Sequence, residues 1–181
     1  MYAYIFKEAD KVMKSIKIMT PGRIGIAESE IPVRRPGEVL LKMKYGGVCG
    51  SDLNSYRGRN PYITYPRTIG HEISAEIVSV DKANSYNLKK GMIVTCNPYF
   101  NCTKCYSCNR GYVNCCVYNQ TMGVQREGAL AEYITITEDR VYDATGIEPQ
   151  SVALIEPFCI SNHAVDRANI KHKEKVLVMG S

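Results

Sequence analysis

Cys102, Cys105 and Cys108 recur at every third position, and Cys116 follows eight residues after Cys108. Thiolates this close in sequence can converge on one tetrahedral ion. Zinc takes four sulfurs at about 2.3 Å each, and a site closed in this way is structural rather than catalytic. Gly111 allows the backbone to turn back, so that Cys116 completes the shell. Disulfides are the competing use of clustered cysteines. They are disfavoured in a chain with no secretory signature, where such spacing favours a metal. Cys115 stands beside the fourth ligand as a spare, and spacing selects Cys116.

A second set of candidates lies outside this lobe: Cys49-Gly50-Ser51-Asp52, Gly70-His71-Glu72 and Glu156-Pro157. A catalytic zinc needs about three protein ligands and one open position. A thiolate, an imidazole and a carboxylate from distant segments would supply them. Taken singly, Cys49 reads as a small buried hydrophobe and His71 as a hydrogen-bonded core histidine. Taken with the four-cysteine lobe, they read as a second metal site.

The elements that must position these groups are mostly strands. Tyr2 to Lys7 alternates enough for one. Glu38 to Tyr45 is another, with Val39, Leu41, Met43 and Tyr45 on one side and Leu40, Lys42 and Lys44 on the other. His71 to Val80 alternates until Val78 and Val80 break the register, which places a bulge there. Met92 to Thr95 and the β-branched, aromatic stretch Ala129 to Thr137 add two more. Turn signals at Pro21-Gly22, Arg35-Pro36-Gly37, Gly46-Gly47 and Lys90-Gly91 separate them. The fold class expected is mainly β with a few helices: a partly open β-barrel carrying a zinc-binding lobe at about residues 96–118.

Near residue 146 the character changes. Pro149 and Pro157 each suit the first turn of a helix, and Ser151 to Leu154 and Phe158 to Ala168 are helix-compatible. Residues 151–174 are therefore expected to form a helical interdomain segment after a domain spanning 1–150. Lys175 to Ser181 is a continuous apolar run ending in glycine, as in a buried parallel strand opening a dinucleotide-binding unit. Gly180 is the candidate first glycine of that turn, and the chain reads as cut at the start of a Rossmann domain.

These landmarks occur in the order found in the zinc-dependent medium-chain alcohol and polyol dehydrogenases, which the chain resembles throughout. They are Cys49-Gly-Ser-Asp52, Gly70-His71-Glu72, the four-cysteine run, Glu127-Gly-Ala-Leu-Ala-Glu-Tyr133 and Ala153-Leu-Ile-Glu156-Pro157. The resemblance implies a GroES-like fold for the barrel. It implies Cys49 and His71 as zinc ligands, Glu72 as a ligand or a close outer carboxylate, and Glu156 on the metal or its water. Glutamate at 156 is similar to the polyol, sugar and threonine dehydrogenase branch. Ser51 would pass the substrate proton toward solvent, and Asp52 would orient His71, since zinc-bound histidines usually donate their other nitrogen. The chemistry implied is hydride transfer from an alcohol, polyol or sugar-acid hydroxyl to NAD or NADP, with two zinc ions, one catalytic and one structural. Two departures stand out. Asn54 replaces the histidine common at the outer end of the proton relay and cannot titrate near pH 7, and Ala75 replaces a usual glycine, which suggests looser packing.

The remaining candidates read more plainly. Cys96 and Cys159 are expected to be buried thiols, His163 a helix residue near an interdomain cleft, and His172 a surface residue. Tyr56, Arg57 and Tyr62 to Tyr65 follow the Cys49 turn and suit a substrate cleft for a polyol or sugar acid. Hydrophobic residues make up 45% and charged residues 23% of the 181, an ordinary globular balance. The net charge of +5 is scattered, which argues against a nucleic-acid face. No apolar run approaches the ~20 residues of a membrane span. The first residues lack a basic region followed by an apolar one, so a cytoplasmic enzyme is expected, with no nucleic-acid or membrane partner and a homo-oligomeric full-length form. Two other classes compete: a zinc-stabilised nucleic-acid or protein-binding module, which leaves Cys49, His71 and Glu156 unexplained, and a zinc-free quinone reductase, which leaves the cysteine lobe unexplained.

Overall fold

A computed structural model describes residues 12–179. Tyr2 to Lys7 and Gly180 lie outside that range, so the strand expected at the start and the glycine expected at the cofactor turn fall on residues that are not described. The chain runs β1 (Val12–Thr20), β2 (Arg23–Glu30), β3 (Glu38–Gly46), α1 (Gly50–Tyr56), β4 (Arg67–Thr68), β5 (Ile73–Ser79), β6 (Ile93–Cys96) and β7 (Tyr99–Phe100). It continues through α2 (Tyr106–Asn109), β8 (Gln120–Thr121), β9 (Tyr133–Thr137), β10 (Val141–Asp143), α3 (Pro149–Val152) and α4 (Ile155–Ala168).

Strand pairing is antiparallel within three sheets, ordered β2-β1-β4, β10-β6-β5-β3-β9 and β7-β8. The two larger sheets are stitched together where Ile16 donates its amide to the Leu130 carbonyl at 2.7 Å and Met43 donates to Glu132 at 2.9 Å. These links curl the sheets into the partly open barrel that the short strands and turn clusters predict. The bulge expected near Val78 is present. Leu40 pairs with Ser79 and Leu41 with Ile77, so Val78 has no opposite number on β3. The strand expected from Ala129 begins only at Tyr133, because the preceding residues are engaged in the links between sheets.

The core follows the alternation. Val39 and Leu41 of β3, Ile73, Ala75 and Ile77 of β5, Val94 and Cys96 of β6, and Ile134 and Ile136 of β9 form one buried cluster. Burying each of the larger side chains contributes about 1.5–3 kcal/mol, and this sheet is where most of the fold's stabilisation resides. Ala75 is fully buried within it. Cys96 is buried as expected, and burial pushes its thiol up to about 12.

Pro149 opens α3 and Pro157 sits in the first turn of α4, as their fixed φ suggests. Within α4 the one buried residue is Glu156. Cys159, expected to be buried, is exposed, because α4 turns only Glu156 toward the barrel. His163 and His172 are also exposed. Residues 175–179 form no strand, and Val176 to Met179 are exposed. A parallel strand needs neighbours on both edges and helices on its faces, and among the described residues this run has neither. No helix among the described residues is long and apolar enough to cross a membrane.

Candidate metal centres

The four-cysteine lobe grows out of the β7–β8 ribbon. Cys102 lies two residues past the end of β7, Cys105 precedes α2, Cys108 lies inside α2, and Cys116 follows a short 3-10 turn. Gly111 sits at φ +82°, the reversal that brings Cys116 back. All four Sγ atoms lie within 4.8 Å of one another. A tetrahedron of sulfurs about 2.3 Å from a central ion has edges of about 3.8 Å, and Cys105 Sγ stands 3.9 Å from Cys116 Sγ. Backbone amides point at the sulfurs: Cys102 donates to Cys116 Sγ at 3.2 Å and Cys105 to Cys102 Sγ at 3.3 Å. Such donors favour thiolates. The Cys108 amide and further hydrogen bonds lower Cys105 to about 6, whereas burial and the neighbouring sulfurs raise Cys108 to about 11. None of the cysteines forms a disulfide, and Cys115 is exposed away from the cluster. The donor set fits a closed zinc site.

The second group assembles on a different sheet, where Cys49 follows β3 and His71 precedes β5 of the five-stranded sheet. Cys49 precedes α1, and the chain is held there by Asp52. Its Oδ2 accepts the Cys49 amide at 2.9 Å, half of a capping box, and its Oδ1 accepts the Gly70 amide at 3.4 Å. Asp52 therefore clamps the two segments that carry Cys49 and His71. It does not hydrogen-bond the imidazole, contrary to the sequence expectation; its two oxygens accept the Cys49 and Gly70 amides instead. His71 follows Gly70 into β5 and is buried, and its Nδ1 has no hydrogen-bond partner. A buried ring nitrogen without a partner costs about 1–3 kcal/mol unless an ion or another group satisfies the ring.

Glu72 completes the group: Cys49, His71 and Glu72 each offer a ligand atom, all within 4.8 Å. Gly47 makes room for it, because a Cβ at that position would sit 1.8 Å from Glu72 Oε2. Gly128, in the Glu127–Tyr133 run, is required in the same way. A Cβ there would meet the Ile69 carbonyl at 2.4 Å, two residues before His71. Burial raises the Glu72 carboxyl. His71 pulls it down, and the nearby Glu156 and Asp52 carboxylates push it up again. Crowded acids around a thiol and an orphaned imidazole fit a divalent cation.

Glu156 is buried beside this group but is not within reach of all three ligands. One of its oxygens accepts a hydrogen bond from the Tyr99 hydroxyl at 2.9 Å. Tyr99 carries no signal in the sequence, being one of thirteen tyrosines outside every spacing pattern. Ser51 lies in the first turn of α1, two residues past Cys49, and is half-buried. Asn54 is exposed on the same helix. Of the tyrosine-rich loop, Tyr65 is engaged with the Ser55 carbonyl, whereas Tyr62 and Arg57 are exposed.

Comparison with known proteins agrees with this geometry. The chain is 44% identical over 154 residues to the L-galactonate-5-dehydrogenase of Escherichia coli K12, covering 85% of this chain and 45% of that protein. It superposes on the crystal structure of galactitol-1-phosphate dehydrogenase from E. coli with a TM-score of 0.79 at 34% identity, covering 86% of this chain and 45% of that one. It also superposes on an alcohol dehydrogenase from E. coli CFT073 complexed with NADH, with a TM-score of 0.80 at 34% identity over 88% of this chain and 46% of that one. The chain spans about half the length of the relatives it matches. Residues 35–146 match the alcohol dehydrogenase GroES-like domain, and the chain therefore belongs to that family.

Proposed function

We propose that this chain is the metal-holding half of a zinc-dependent dehydrogenase that oxidises a secondary hydroxyl of a polyol or sugar acid with NAD or NADP. The observation that carries the reading is the convergence of Cys49, buried His71 and Glu72 at a point separate from the four-cysteine lobe. A binding module would need only the lobe. The 44% identity to an L-galactonate dehydrogenase supports a sugar-acid or polyol substrate.

Cys49, His71 and Glu72 would hold the catalytic zinc, and Cys102, Cys105, Cys108 and Cys116 the structural one. When bound, the catalytic zinc supplies Lewis acidity to a substrate hydroxyl, and the nicotinamide cofactor accepts the hydride. The chain's own residues bind, orient and move the proton. Ser51, on the turn after Cys49, takes it and passes it toward solvent. With Asn54 as the next side chain on that face, the relay ends in water or a cofactor hydroxyl. Glu156 offers a carboxylate at the edge of the site. The crowding of Glu72 and Glu156 beside Cys49 gives the site a negative character that a cation would relieve.

Residues 1–150 form the catalytic barrel in this reading. Residues 151–174 would be the segment leading to a nucleotide-binding half, and the apolar run that starts at Lys175 would enter it. The exposed Phe158, Ile160 and Val165 of α4 support this, since they require cover that the barrel does not provide. The test is a full-length protein assayed with galactonate, galactitol and their neighbours against each dinucleotide. Cys49→Ser and His71→Ala are expected to abolish turnover while the circular dichroism of the barrel persists. Full turnover in either variant would overturn the assignment.

A further inference from the structure

The feature that the proposed chemistry leaves unused lies between the two metal centres. β7 is two residues long, leads through Asn101 into Cys102, and presents Tyr99 to Glu156. We propose that Tyr99 is a positioning residue that ties Glu156 to the four-cysteine lobe and holds its carboxylate beside, but not on, the metal at Cys49, His71 and Glu72. This rests on the reading of those three residues as a metal site.

Three observations support it. First, the Tyr99 hydroxyl donates to Glu156 Oε1 at 2.9 Å, a hydrogen bond to a charged acceptor and so stronger than a neutral one. Glu156 meanwhile falls outside the three-ligand group. Second, Glu156 is close enough to Glu72 for its carboxylate to act on that of Glu72, and the Tyr99 hydroxyl is close enough to Cys49 to feel its charge. The tether thus reaches the edge of the metal site. Without it, a carboxylate this near a divalent cation would be drawn onto it and would fill the position a substrate hydroxyl needs.

Third, Tyr99 is itself fixed by the lobe. Arg140 donates one guanidinium nitrogen to the Tyr99 carbonyl at 2.9 Å and another to Asn101 Oδ1 at 2.9 Å. The Asn101 amide reaches Cys108 Sγ at 3.8 Å. Arg126 stacks over the intervening Phe100 at 3.9 Å from the ring centroid, with Arg140 at 5.6 Å. A continuous path of contacts therefore runs from a structural sulfur to the carboxylate at the catalytic centre. The lobe gains a second role in setting that carboxylate.

Cobalt substitution tests this without an activity assay. The spectrum of the cobalt-loaded chain minus that of cobalt-loaded Cys49→Ser isolates the ion at the Cys49 centre. Tyr99→Phe keeps the ring and removes the tether. It is expected to shift the d–d bands of that difference spectrum and to change zinc affinity at this centre by about tenfold. Arg140→Gln, which loosens β7 from a distance, is expected to shift the bands in the same direction by less. In a Glu156→Gln background, Tyr99→Phe is expected to change nothing further. A Tyr99→Phe spectrum identical to wild type overturns the proposal. So does a shift of the same size in the Glu156→Gln background, which would make Tyr99 a packing residue. No cobalt signal in the wild-type difference spectrum overturns the metal-site reading itself, and this result is distinct from the other two.

Discussion

Gly47 has no side chain because Glu72 occupies the space one would take. Gly47→Ala is expected to push the Glu72 carboxylate away from Cys49 and His71. Metal affinity at that centre should fall about 10–100-fold, the range seen when groups that orient ligands are lost. The four-cysteine lobe should keep its ion, and metal titration with a chelator competitor separates the two. Glu156→Gln in the full-length protein makes a different prediction. It keeps the hydrogen-bonding shape for Tyr99 and removes the charge, so turnover should drop with little loss of folded protein. An unchanged rate at saturating zinc would leave Glu156 with a structural role alone. At this scale the sequence was informative about ligands and poor about what holds them. The four lobe cysteines, Cys49 and His71 stand out by residue type and spacing and Glu72 by the family resemblance, and the structure brings their donor atoms together in two groups. Tyr99 does not stand out, because its partner Glu156 is 57 residues away and a lone tyrosine has no spacing to read. Asp52 was legible as a supporting carboxylate, but its partners are the Cys49 and Gly70 amides, and backbone partners leave no trace in side-chain patterns.

Glu127 ties elements together. Its carboxylate accepts the Thr68 amide of β4 at 2.9 Å and meets Arg67 at 3.2 Å and Lys17 of β1 at 3.5 Å. Burial raises this carboxyl, but the Thr68 hydrogen bonds and the two cations outweigh it and leave it below its ordinary value of 4.5. A carboxyl lowered by folding adds stability that is fully present above its unfolded pKa and is lost as the pH falls through the folded one. Glu127→Gln is therefore expected to be less stable than wild type at neutral pH, by no more than about 1 kcal/mol for a pair this exposed. The gap should close as the pH drops below about 4.5. Thermal midpoints measured from pH 7 to pH 3 check this, and a gap that widened with acid would contradict it. The lobe behaves as its own element. Cys105→Ser is expected to remove one ion and lower the thermal midpoint, leaving the strand signal of the five-stranded sheet largely intact. Element by element, alternation located β3 and β5, β-branched and aromatic composition located β9, and the broken alternation at Val78 located the bulge. Val176 to Met179 was read from a continuous apolar run, and among the described residues it is exposed with no strand to pair with. Strand formation there depends on chain that the barrel does not supply.

For the molecule as a whole, apolar exposure is marked in α4 and in the run after it. Phe158, Ile160 and Val165 of α4 and Val176 to Met179 are all exposed. An isolated helix of fourteen residues is marginal in water, so α4 needs packing partners. The 181 residues by themselves are expected to self-associate through these exposed residues and to show no micromolar affinity for NAD or NADP by calorimetry. Micromolar dinucleotide binding would move the cofactor site onto the barrel. The central claim concerns the two ligand sets, which share no residue. Elemental analysis of protein purified without chelator tests it most directly. About two zinc ions per chain are expected for wild type, falling to about one in Cys105→Ser and to about one in a Cys49→Ser, His71→Ala double variant. A wild-type chain holding a single zinc that survives loss of both Cys49 and His71 would contradict the account.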